Sequence, residues 1–167
     1  MNENQTDRVE LVRLLVLAEL TAAGVHAEST RTPQGLEVRV GAGVTDRAVR
    51  LVRRADQTYG VPISLVAPDG ALDLVTGGEA PQRGRYLTSL SMLCGLLARE
   101  ELLARGVAVV QVIDDEDGGA TVEIAPGTNV DPGSAALVDA LEQRWGLVLR
   151  LTRPDPGAAH PPIPPRA

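Results

Sequence analysis

A surplus of acids over arginines, 22 against 16 with no lysine at all, leaves these 167 residues with a net charge of −6, which argues against non-specific binding to nucleic acid. Apolar residues make up 44% of the chain, but the aromatics are only Tyr59, Tyr86 and Trp145, so the core must be built from Leu, Val and Ala. A single cysteine, Cys94, excludes an intrachain disulfide and a Cys-rich zinc site, and no run reaches the roughly 18 apolar residues of a membrane span.

The all-arginine basic set reads as codon usage in a GC-rich genome before it reads as function. Residues 1–7 are polar and acidic, without the basic opening of a secretion signal. They are expected to be disordered, and the protein cytoplasmic. The pattern from Arg8 to Ala23 is helical, with apolar residues at Val9, Leu11, Val12, Val16 and Leu20 among others. They cover more than the single stripe of roughly 100° that a surface helix needs. Either this helix sits between two layers or its second face meets a partner.

Gly24 stops the helix. Val25 to Thr30 and Leu36 to Val40 then read as a hairpin around Thr32-Pro33-Gln34-Gly35, the second strand alternating Leu36, Val38 and Val40 with Glu37 and Arg39. Thr45 is the expected cap of the next helix, with Asp46 in its first turn, where the dipole favours an acid. A strand over Val61 to Val66 follows, and Pro62 marks its start or an edge.

The second half repeats this order. Gly35-Leu-Glu-Val-Arg-Val matches Gly119-Ala-Thr-Val-Glu-Ile, and Ala55-Asp-Gln-Thr-Tyr-Gly-Val matches Leu141-Glu-Gln-Arg-Trp-Gly-Leu. The glycine pairs 24/106, 35/119 and 60/146 keep an offset that grows only from 82 to 86. An αββαβ unit written twice is therefore expected, over 8–70 and 71–152. A helix is predicted over Tyr86 to Arg105, strands over 107–113 and 120–125, a helix from Asp131 to Trp145 with Asp131-Pro132 as its start, and a strand over 147–151.

Ala71 to Val75 also alternates as a strand. Counting it, the second half reads βαββαβ, a ferredoxin-like order with the helices on one face of an antiparallel sheet. That order, with the Gly-containing loop before the 86–105 helix, resembles ACT-type regulatory domains over about half the chain. The loop with Gly77, Gly78, Arg83, Gly84 and Arg85 reads as a linker between the halves, and it is also where a small-molecule ligand would be expected, since a helix start and two arginines are suited to an anion. After Thr152 the tail holds six of the 12 prolines and is expected to be extended or disordered. Its Pro161-Pro-Ile-Pro-Pro165 run is a candidate polyproline ligand.

Signatures of catalysis are sparse. His26 has no motif around it, and His160 lies in the tail. Cys94 sits mid-helix among leucines, where a thiol behaves as a small hydrophobe. Asp114-Asp-Glu-Asp-Gly-Gly119 lacks the spacing of a calcium loop and reads as a solvated hairpin tip. RNA-recognition domains of the same strand order need stacking aromatics on their central strands, and 107–113 and 120–125 carry none. No enzyme activity, cofactor, metal or nucleic-acid partner is expected.

What remains is surface for proteins. The expected function is that of a non-catalytic accessory or adaptor protein, binding a partner or a second copy through Val9, Val12, Val16, Leu20, Leu90, Leu93 and Leu97. The alternative is a small-molecule-sensing module, with its ligand between the repeats or at the 77–85 loop.

Overall fold

The computed structural model describes residues 3–41, 46–67 and 88–153. Among them the chain forms four helices and two three-stranded sheets, an α+β fold. The elements run α1 (Glu3–Ala22), β1 (Ala27–Thr32), β2 (Gly35–Val40), α2 (Asp46–Thr58) and β3 (Ile63–Val66). They continue as α3 (Leu90–Ala104), β4 (Val109–Asp114), β5 (Ala120–Ile124), α4 (Pro132–Trp145) and β6 (Leu149–Thr152).

Local chemistry accounts for most of these boundaries. Asp7 suits the positive end of a helix dipole, and α1 begins at Glu3, so the helix takes in residues 3–7, which were expected outside it. Pro33 and Gln34 close the first hairpin, with Thr32 opposite Gly35. Glycine is required at 35, because a Cβ there would stand 2.1 Å from the Pro62 carbonyl oxygen. The Asp131 side chain accepts from the Ser134 N–H at 2.6 Å, capping α4 with Pro132 in its first turn. Ser89 caps α3 in the same way through the Met92 N–H.

In each half the hairpin is antiparallel, and its second strand then pairs in parallel with the last, through the helix between them. The sheets are therefore mixed, and the expectation of antiparallel sheets is corrected. The ferredoxin-like reading of the second half is corrected too. That order inserts the first strand of the unit between β5 and β6, yet these two pair directly, from Ala120 opposite Leu149 to Glu123 opposite Thr152. The strand expected at 71–75 lies outside the described residues, as do the proline-rich tail and the Thr45 cap.

Helices α1 and α2 lie over the first sheet, α3 and α4 over the second, and α1 packs on α3. Sheet, helix pair, helix pair, sheet is the resulting order of layers. This explains why α1 and α3 are apolar around more than one face: each lies between a sheet and another helix. Leu11, Leu15, Leu20, Leu93, Leu97 and Leu102 are all fully buried there. Gly95 lets α3 come down onto its sheet; a Cβ at that position would stand 2.7 Å from Val112 Cγ1 and 3.2 Å from Ala120 Cβ.

Candidate functional site

The two halves meet along α1 and α3. Near the start of α1, Arg8 donates through Nη1 to the Thr88 carbonyl at 2.7 Å and to the Tyr59 carbonyl at 3.1 Å. Towards its other end, Glu19 lies within electrostatic reach of Arg99 and Glu100 on α3. The two helices therefore run parallel.

Tyr59 directly follows α2, and Gly60 after it takes the left-handed conformation (φ 74°) that turns the chain away. The Tyr59 hydroxyl reaches back to α1, donating to Glu19 Oε1 at 2.7 Å, and Arg54 Nη2 approaches the same oxygen at 3.2 Å. Glu19 is 5% exposed, and its second oxygen, Oε2, is buried with no hydrogen-bond partner among the described residues. Burial pushes the Glu19 carboxyl above its ordinary value, against the opposing pull of the Tyr59 bond and Arg54. Burial and the neighbouring Glu19 push the Tyr59 hydroxyl up as well.

Beside this cluster a groove of about 480 Å3 runs between the end of α2 and the length of α3. Arg54, Thr58 and Tyr59 form one wall, Thr88, Met92, Leu96 and Arg99 the other, and Asp114 closes an end. On α3, positions 92, 96 and 99 recur at helical spacing and share a face, and Thr88 lies just before the Ser89 cap. Thr88 Oγ1 donates to the Thr58 carbonyl at 3.0 Å, tying the walls together.

A second feature lies at the far edge of the second sheet. Both sheets have an outer strand of the hairpin, β1 and β4, as a free edge among the described residues. The edge at β1 is polar, with Glu28, Thr30 and Arg31 exposed. The edge at β4 is Val-Val-Gln-Val-Ile-Asp, with Val110 51% and Ile113 41% exposed. Leu103, in the last turn of α3, is exposed as well. A register shift between Val109 and Gln111 leaves Gln111 to Asp114 as the regular part of the strand.

The residues expected at an interface are elsewhere. Val9, Val12, Val16, Leu20, Leu93 and Leu97 are buried inside the chain, and Leu90 is packed half-buried against the same core. Their apolar surface is used between the layers, which corrects their assignment to an outer face. Gly77, Gly78, Arg83, Gly84 and Arg85 lie outside the described residues.

His26 is exposed just before β1. Cys94 is buried, its thiol pushed up to about 12 by desolvation. In the acidic loop Asp115 and Asp117 are held by Arg150, at 2.7 and 2.6 Å. Among the described residues no group of three or more His, Cys, Asp and Glu is placed to hold a metal ion, and no helix is long and apolar enough to cross a membrane.

The Glu19–Tyr59–Arg54 cluster carries no signal in the sequence. The absent signal is tertiary: Glu19 and Tyr59 are 40 residues apart. Comparison with protein-family models and with curated proteins gives no match.

Proposed function

We propose that this chain is a non-catalytic, cytoplasmic interaction protein, built by duplication of an αββαβ unit, that binds a protein chain by strand addition at β4. The observation that carries this reading is the contrast between the two equivalent edges. A free edge presents unpaired N–H and C=O groups to any strand that approaches, and edges are ordinarily guarded by charge. β1 has that guard and β4 lacks it along Val109 to Ile113. Main-chain hydrogen bonds would supply the affinity, and the side chains of Val110 and Ile113 the apolar contact.

A second copy of this chain is the occupant we assign. In an antiparallel pairing centred on Val112, Gln111 faces Ile113 and Asp114 faces Val110, so no two charged residues are opposed. The test is the light-scattering mass of the natural chain beside that of Val110→Lys/Ile113→Lys. A dimer that the double substitution returns to monomer supports the reading. A monomer at every concentration, or a dimer indifferent to the substitutions, overturns it.

The second reading, a small-molecule module, is favoured by the groove between the halves, whose volume falls within the ~300–1,000 Å3 of ordinary ligand sites.

A further inference from the structure

Building on that second reading, we propose that the groove between α2 and α3 is a binding site for a small organic monoanion with an apolar body, a carboxylate on a short alkyl or aryl chain. The site has the three parts such a ligand needs. Arg54 and Arg99 face it from opposite walls. Among the described residues each guanidinium makes one hydrogen bond, Arg54 to Glu19 and Arg99 to Glu100. Each therefore keeps donors from its five-donor fork for a carboxylate. Met92 and Leu96 lie on α3 between its start and Arg99, both half-buried, and give the body of the ligand an apolar strip one helical turn long.

Thr88 and Asp114 close the far end. Asp114 already accepts from the Ser89 hydroxyl at 2.9 Å, and its negative charge directs an anion to the arginine end. From Met92 to Arg99 the helix rises about 10 Å, so a chain of about six carbons fits lengthwise.

Glu19 sets the polarity of the arginine end. Its Oε1 is the present partner of Arg54, while its Oε2 is buried and without a partner among the described residues. A ligand carboxylate entering from the groove takes Arg54 from outside while the Tyr59 hydroxyl continues to hold Glu19. The corresponding place in the other half is built differently. There Arg144 stacks over Trp145, the counterpart of Tyr59, at 4.9 Å and points at Glu10 at 3.9 Å. One anion site per chain is therefore expected.

The experiment is an NMR titration of the full chain with hexanoate, with hexanamide and acetate as the uncharged and the truncated probes. Hexanoate is expected to shift the amide signals of Arg54, Thr88, Met92 and Leu96 saturably in the millimolar range. Hexanamide and acetate should each bind about tenfold more weakly. Arg99→Gln, at a partly exposed position whose only hydrogen-bond partner among the described residues is the adjacent Glu100, should weaken hexanoate about tenfold and leave the fold intact, as its own spectrum will show. Equal binding of acid and amide would reduce the groove to an apolar depression and overturn the proposal. Non-saturating shifts, shifts away from the groove, or Arg99→Gln binding like the natural chain would overturn it equally. The strand-addition reading stands or falls separately, since the light-scattering mass does not depend on the probe.

Discussion

The most exacting structural prediction concerns Asp56. This carboxylate is buried near the end of α2, and its Oδ1 accepts from the Ile63 N–H at 2.8 Å, where β3 begins. The second half uses the same device: Glu142 Oε1 accepts from the Leu149 N–H at 2.7 Å, where β6 begins. Both acids stand seven residues before the amide they hold. Each fixes the turn by which the last helix of the unit returns to its sheet.

Asp56→Ala leaves a buried N–H without an acceptor, a loss of about 1–3 kcal/mol. For a chain of this size that lowers the melting temperature by roughly 2–12 °C. Glu142→Ala, at a half-buried position, should fall at the low end, near 1 kcal/mol, since water can reach its partner more readily. Asp56→Asn keeps an acceptor and should recover more than half the loss. Urea unfolding followed by circular dichroism measures all three. An Asp56→Ala variant within about 0.5 kcal/mol of the natural chain would refute the reasoning, because surface substitutions lie in that range.

Three further outcomes are expected. Because burial raises the Glu19 carboxyl, the folded state holds its proton more tightly than the unfolded chain. The resulting stability is complete below the ordinary value of 4.5 and is lost as pH rises through the raised folded value. Glu19→Gln should flatten the fall in stability above pH 4.5, and an unchanged slope would contradict the assignment. Gly95→Ala gains about 1 kcal/mol of helix propensity but forces a Cβ onto Val112 and Ala120, an overpacking of about 1–3 kcal/mol. Net destabilisation is expected, relieved by Val112→Ala, and a stabilised single variant would show that α3 can move away. Cys94 should react with a thiol reagent only as fast as the chain unfolds; prompt modification of the native protein would place the thiol at the surface.

Much of this architecture is written locally. The left-handed glycines at 24 and 106, and at 60 and 146, end matching helices, and their spacing made the repeated element order legible. Asp131-Pro132 marked its helix to the residue. Strand order was not legible: alternation over 71–75 suggests a strand, but periodicity carries no information on which strands pair, and the direct contact of β5 with β6 is a long-range choice. Nor does an apolar helix face say whether a partner covers it from inside or outside, so Val12, Val16, Leu93 and Leu97 read as interface although they meet within the chain. The groove escaped for a similar reason. Arg54 is one of four arginines on its helix, and only the fold sets it across from Arg99.

The claim that β4 is the contact surface is tested most directly by amide hydrogen exchange at low and high protein concentration. Strand addition predicts that amides of Gln111 to Ile113 left free by β5 exchange slowly at high concentration and quickly on dilution. The free amides of β1, behind their charged side chains, should exchange quickly at both. Equal, concentration-independent exchange on the two edges would contradict it.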